Sequence, residues 1–276
     1  MDQSPFHSTP PRITSRQNPR VKDAVRLRTR RGREGQGRFL IDGAREIVRA
    51  VAAGVRCLEA FVCEELCDAA ESGKAFEALA AAGTEMLSVS PGVYAKLAFG
   101  ERDDGIIVVA ETPRRELSDL QLPPEPLVAV LEGIEKPGNV GAILRSADAA
   151  GLGAVILVDA RTDLYNPNTI RASLGTVFRN NVLETTAAEA LEWLRTKDLP
   201  IIAARPDADT IYTDVDLRGG AAIVLGGEAE GLTGAWSGAN VTAVRLPMRG
   251  MADSLNVSTT AAILFYEALR QRGGRG

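Results

Sequence analysis

Early in the chain, apolar residues recur at Val21, Val25 and Leu27 among basic positions, a spacing that predicts a short basic helix from Thr14. Gly32, Gly35 and Gly37 follow and are expected to break the chain. Residues 39–41 predict a short strand, 44–53 a helix stopped by Gly54, and 58–62 another strand. Residues 75–82 predict a helix ended by Gly83, and 86–89 a strand. Ser90-Pro91 then supplies the capping residue and first-turn proline of a further helix. An apolar strand at 105–110 completes a small α/β unit.

Residues 113–126 hold Pro113, Pro123, Pro124 and Pro126 and predict a linker. Beyond it, strands are predicted at 127–131, 154–158, 200–204, 221–225 and 241–246. Helices are predicted at 138–150, 169–177, 187–194 and 257–272. The last helix carries Ala261, Leu264, Phe265, Ala268 and Leu269 on one face. Strands alternating with helices predict a mostly parallel sheet covered on both faces. The expected plan is a disordered tail (1–12), an N-terminal domain (13–112), the linker (113–126) and a second domain (127–276).

Composition adds little until charge is placed along the chain. The 276 residues are 45% hydrophobic and 25% charged, ordinary for a globular protein. No apolar run approaches a membrane span, and the polar, proline-rich start lacks the apolar core of a signal peptide. Cys57, Cys63 and Cys67 are odd in number and the sole histidine, His7, lies in the tail. Reduced structural thiols, no metal site and a cytoplasmic location are therefore expected. The net charge is −4, yet residues 12–38 hold ten basic and two acidic residues, a local excess of +8. That concentration is the footprint expected of phosphate contacts, although a solvated helix face or a loose arm would look the same.

Several chemistries are excluded by absence. There is no phosphate loop of the G-x-x-x-x-G-K-[ST] type, no HExxH, no Cys/His cluster and no G-x-S-x-G elbow. Gly151-Leu152-Gly153 begins a dinucleotide-like motif but lies after a helix and before a strand, the reverse of the dinucleotide-binding order. A helix stop and turn is the expected reading.

Three segments remain. In Glu132-Gly133-Ile134-Glu135-Lys136-Pro137-Gly138-Asn139, a strand ends and a helix opens near Asn139, which could be its cap. Arg145 follows on that helix and could simply pair with Asp148. In Leu225-Gly226-Gly227-Glu228, paired glycines after a strand would let backbone approach a ligand, although an ordinary turn would also use them. In the stretch from Leu246-Pro247-Met248 to Ser254-Leu255-Asn256-Val257-Ser258, a small-residue loop leads into the last helix. Met248 and Met251 there offer a flexible apolar wall.

In this order the three segments resemble the motifs of the SpoU/TrmH family of RNA ribose methyltransferases, within the SPOUT superfamily. Tyr165-Asn166-Pro167 and Arg171-Ala172-Ser173-Leu174-Gly175 match a further segment common in that family. Asn18-Pro19-x-Val21-Lys22 and its surroundings resemble the family's substrate-binding domain. The resemblance implies a parallel-sheet C-terminal domain with a deep trefoil knot, a small N-terminal α/β domain, and a homodimer whose site is completed across the interface. It implies S-adenosylmethionine as cofactor, held at Gly226, Leu246 and Leu255, with Gly227, Met248 and Asn256 close by. It implies methyl transfer to a ribose 2′-OH of RNA, with Arg145 as base, alkoxide stabiliser or phosphate anchor. Asn139, Glu228, Ser254 and Asn256 would orient Arg145, the ribose or the cofactor. Arg26, Arg28, Arg30, Arg31 and Arg38 would grip RNA. Ribosomal RNA, of the 23S type, is the expected substrate. The alternatives are transfer RNA as substrate, a non-catalytic RNA-binding protein that keeps the fold, and a dinucleotide-dependent dehydrogenase, which the absence of an early glycine loop disfavours.

Overall fold

The computed structural model describes residues 12–67, 69–99, 104–179 and 181–273. Apart from Arg12, the tail expected at 1–12 and its His7 lie outside the described residues. The chain divides into two units, Met1–Pro113 with Tyr165–Phe178, and Arg114–Leu164 with Arg179–Gly276.

The first unit opens with α1 (Pro19–Arg26), started by Pro19 and by Asn18, whose side chain accepts from the Arg20 backbone N–H at 2.9 Å. The glycines expected to break the chain instead lie in or end a second helix, α2 (Arg30–Gln36). Thr29 caps it, and Gly37, at φ +61°, stops it. A Cβ at Gly32 would stand 1.9 Å from the Arg26 carbonyl oxygen, so this glycine answers a close backbone approach. Then follow β1 (Arg38–Asp42), α3 (Ala44–Ala52), β2 (Cys57–Val62), α4 (Ala69–Ala81), β3 (Glu85–Ser88), α5 (Pro91–Leu97) and β4 (Ile106–Glu111). Helix α4 starts about six residues before the expected position. The sheet order is β1-β4-β2-β3; β4 runs antiparallel to both neighbours, and β2 and β3 are parallel.

Helix α7 (Pro167–Ala172) also belongs to this unit and packs on β1. Phe39 stacks near Tyr165 and Phe178, with ring centroids 4.5 and 6.0 Å away. The single helix expected at 169–177 is interrupted, because Leu174 and Gly175 adopt φ +54° and +84°. A separate 3-10 turn, Thr176–Phe178, follows.

The second unit is a seven-stranded sheet in the order β7-β6-β5-β10-β8-β11-β9, parallel at every pairing. Its elements are β5 (Leu127–Glu132), α6 (Pro137–Ala149), β6 (Ala154–Val158), β7 (Val182–Thr185), α8 (Ala187–Thr196), β8 (Ile201–Ala204), β9 (Thr210–Ile211), β10 (Ala221–Gly226), β11 (Val241–Arg245) and α9 (Val257–Gln271). Strands β7 and β9 were not expected from the pattern. Every residue of β5 and β6 is buried, as strands covered on both faces require. Val128 and Val130, Ala222 and Val224, and Trp236 share one core with α8, while α6 and α9 pack together. Gly151, at φ +74°, ends α6 as the expected stop and turn. Residues 114–126 include a 3-10 turn, Leu117–Asp119, and pack Leu117, Leu120 and Leu122 against that same core.

Candidate active site

Parallel α/β sheets bind ligands beyond the carboxyl ends of their strands. Here four strand ends align: Gly226 of β10 stands opposite Glu132 of β5, and Val244 of β11 opposite Ala204 of β8. Beyond them lies a cavity of about 540 Å³. That falls within the roughly 300–1,000 Å³ usual for small-molecule sites. Gly226, Gly227, Glu228, Leu246, Met248, Ser254, Leu255 and Asn256 all line it.

A chain of polar contacts ties the three sequence segments together. Asn139 Nδ2 donates to Glu228 Oε1, and Asn256 Nδ2 donates to Asn139 Oδ1 at 3.3 Å. Asn256 Oδ1 also accepts from the Ser258 N–H at 2.9 Å, capping α9. Such a cap contributes about 1 kcal/mol. Asn139 is not a cap, since α6 begins at Pro137 with Lys136 before it. Its side chain is left to reach Glu228.

Arg145 is exposed on α6, its side chain makes no hydrogen bond or ion pair among the described residues, and it does not line the cavity. The pairing with Asp148 is not formed, because Asp148 binds Arg179. Ser254 lines the cavity and is exposed.

The paired glycines serve the chain's own packing as well as the cavity. A Cβ at Gly226 would meet the Gly231 carbonyl carbon at 2.2 Å, and one at Gly227 the Gly133 carbonyl oxygen at 2.7 Å. Met248 lines the cavity, whereas Met251 is fully exposed away from it.

Sequence reasoning missed Arg205, Glu230, Arg245, Asp253 and Thr260, which also line the cavity. Arg205 follows β8 and could have been found from the strand-end rule alone. Its Nη2 donates to the Thr233 carbonyl at 3.0 Å. Glu230 pairs at 2.6 Å with Arg161, which also binds Glu135; these bonds, to Glu230 first and then Glu135, raise the Arg161 pKa.

The basic segment is partly engaged within the protein. Arg26 pairs with Asp23 and Arg30 with Glu34. Arg28 donates to the Ala98 carbonyl, and burial lowers its pKa. Arg33, which is buried, donates to the Leu27 carbonyl at 2.8 Å. Lys22, Arg31 and Arg38 are exposed, and their side chains make no hydrogen bond or ion pair among the described residues.

The lining suits S-adenosylmethionine. Leu225, Leu246, Met248, Leu255 and Val257 offer apolar surface for a base, and Glu228, Glu230 and Asp253 offer negative charge for a sulfonium or ammonium. Arg205 and Arg245 offer partners for a carboxylate. Among the described residues no group of three or more His, Cys, Asp or Glu side chains could hold a metal ion. Nor, among the described residues, is any helix long and apolar enough to cross a membrane.

Comparison with known proteins agrees with this geometry. Residues 126–266 match the model of the SpoU rRNA Methylase family, and residues 18–108 match an MRM3-like substrate binding domain. A 23S rRNA (uridine(2479)-2′-O)-methyltransferase of Streptomyces viridochromogenes is 32% identical, over 95% of this chain and 92% of its own. A crystal structure of an RNA 2′-O ribose methyltransferase is 45% identical with a TM-score of 0.82, over 95% of this chain and 99% of that one. The AdoMet-bound rRNA methyltransferase of Sinorhizobium meliloti is 25% identical with a TM-score of 0.84, over 94% and 97% of the two chains. With its parallel sheet, its strand-end cavity and the polar chain from Asn139 to Asn256, this protein belongs to the SpoU rRNA methylase family.

Proposed function

We propose that this protein transfers a methyl group from S-adenosylmethionine to a ribose 2′-OH of ribosomal RNA of the 23S type. The observation that carries the reading is that Glu228 and Asn256 line a cavity shared with Gly226, Leu246 and Leu255, and that Asn139, from a third segment, is hydrogen-bonded to both. S-adenosylmethionine supplies an electrophilic methyl on a sulfonium. The chain's own task is to hold that group and the hydroxyl in line, and to make the hydroxyl more nucleophilic.

Gly226, Leu246 and Leu255 bind the cofactor, with Gly227, Met248 and Asn256 beside them. Asn139, Glu228, Ser254 and Asn256 orient the reacting groups. A guanidinium stays protonated across the neutral range, so Arg145 acts by stabilising the developing alkoxide or by gripping the neighbouring phosphate. Its exposed, unengaged position on α6 suits a site completed by a second copy of the chain, and the homodimer is part of the proposal. So are a trefoil knot in the C-terminal domain, a cytoplasmic location, and a division into an RNA-binding domain (13–112) and a methyltransferase domain (127–276). Arg31 and Arg38, free of ion pairs, are the members of the basic segment best placed to meet phosphate; Arg26, Arg28 and Arg30 contribute after exchanging their present partners.

Titration calorimetry with S-adenosylmethionine tests the reading. Saturable binding at micromolar to millimolar cofactor is expected. No binding at millimolar cofactor would leave a non-catalytic RNA-binding protein.

A further inference from the structure

Glu132 ends β5 and is only 4% exposed, yet the chemistry above gives its carboxylate no task. Its backbone stands opposite Gly226 in the pairing of β5 with β10. Its side chain accepts two hydrogen bonds of 2.8 Å, Oε2 from the Thr233 backbone N–H and Oε1 from the Thr233 hydroxyl. Gly226 to Gly231 wall the cavity, and Thr233 lies two residues beyond that wall. One residue therefore grips the wall at its start by main chain and the chain just past its end by carboxylate.

Between those two grips the segment closes on itself, with the Gly231 N–H donating to the Gly227 carbonyl at 3.0 Å. The carbonyl of Gly133, next to Glu132, occupies the place a side chain would need at Gly227. Glu228 and Glu230 project from this segment, Glu228 to Asn139 and Glu230 to Arg161.

A strand core position beside Leu131 would be served by any apolar residue, and burying a carboxylate there is costly without donors. The donors it has lie not in the sheet but on Thr233, two residues past Gly231, the last residue of this segment to line the cavity. Removing one partner of such a buried charged bond leaves the other uncompensated. We propose that Glu132 is a positioning residue for the methyl-donor pocket. Through Thr233 it fixes the span of the glycine wall, and so the reach of Glu228 to Asn139. This rests on the cavity being the S-adenosylmethionine site.

The test uses four full-length variants, Glu132→Gln, Glu132→Ala, Thr233→Ser and Thr233→Val. Glu132→Gln keeps an acceptor for the N–H and a donor for the hydroxyl, and Thr233→Ser keeps both groups. Both should bind S-adenosylmethionine within about threefold of the parent. Glu132→Ala and Thr233→Val should raise its Kd and KM about tenfold or more, a loss that the conservative Glu132→Gln and Thr233→Ser escape. Without cofactor, amides 227–233 should exchange with solvent faster in Glu132→Ala and Thr233→Val than in the parent. Unchanged cofactor affinity in Thr233→Val, or an equal loss in Thr233→Ser, would overturn the proposal. If Glu132→Ala does not fold, Thr233→Val decides. If the parent itself binds no S-adenosylmethionine, the cofactor assignment fails, and unchanged amide exchange in Thr233→Val would separately overturn the clamp.

Discussion

Gly226→Ala adds one methyl group at the end of β10, where the structure leaves no room for it. The new Cβ would lie 2.2 Å from the Gly231 carbonyl carbon, 2.4 Å from its oxygen and 2.5 Å from the Leu232 nitrogen. All three are backbone atoms, so no side chain can swing aside. Restoring ordinary contact near 3.5 Å requires Gly231 and Leu232 to move by about 1 Å. That movement would pull on the bond from Gly231 to Gly227 and on the neighbouring Thr233, held by Glu132. Gly226 does not have positive φ, so the effect is steric and not conformational. Overpacking of this kind costs about 3 kcal/mol, the upper part of the usual range. At about 2–4 °C per kcal/mol, the melting temperature should fall by roughly 6–12 °C. Gly138→Ala is the control, since a Cβ there meets nothing within 4 Å and the residue lies in α6. It should hold or raise the melting temperature, because alanine is favoured over glycine in a helix by about 1 kcal/mol. Differential scanning calorimetry with and without S-adenosylmethionine measures both. A Gly226→Ala protein that melts like the parent and binds cofactor equally well would refute the reasoning.

Arg145→Ala should abolish methyl transfer and leave cofactor binding intact, because Arg145 does not line the cavity; full activity by radiolabel transfer would contradict its role. Replacing Lys22, Arg31 and Arg38 with alanine should weaken RNA binding and flatten its salt dependence, by about 0.7–0.9 in the log–log slope for each phosphate no longer neutralised. An unchanged slope in filter binding across salt concentrations would mean that RNA is gripped elsewhere. Arg28→Ala, by contrast, should lower thermal stability, since it removes the bond to the Ala98 carbonyl; an unchanged melting temperature would contradict that. Burial raises the Cys57 thiol from 9.0 to about 11. A folded-state pKa raised in this way gives stability that is complete below pH 9 and lost as pH rises to about 11. Urea unfolding across that range should therefore decline less steeply for Cys57→Ala than for the parent; parallel curves would contradict it.

Much of this architecture could be read from residue pattern because its determinants are local. Strands β5, β6 and β10 are continuous apolar runs, and α6 and α9 end in recognisable stops or begin at recognisable caps. Helix α2 was hidden because two of its glycines look like breakers. At least Gly32 is there to let the Arg26 carbonyl come close, a tertiary demand that no local pattern carries. Strands β7 and β9 are short, four and two residues, and owe their state to neighbours in the sheet. The break in the helix expected at 169–177 depends on positive φ at Leu174, a residue that rarely adopts it.

For the site, the motif residues were legible one by one, but their relations were not. Asn139 sits close enough to a helix start to look like a cap, and only the fold shows that Glu228, distant in sequence, takes its side chain. Arg205, Arg245 and Asp253 carried no motif, although Arg205 follows a strand on the side where parallel sheets bind ligands. The charge count of the basic segment overstated its free positive charge. Several of its arginines are spent on ion pairs and carbonyls, which a sequence cannot assign.

Ribose methylation of ribosomal RNA can be read directly from where the methyl group lands. The most direct measurement incubates the purified protein with labelled S-adenosylmethionine and unmodified 23S rRNA, then digests the RNA with alkali. A 2′-O-methyl group blocks cleavage at its own nucleotide, so the label is expected in an alkali-resistant dinucleotide, and none there with Arg145→Ala. Label recovered on a free base, or transferred to transfer RNA and not to 23S rRNA, would contradict it.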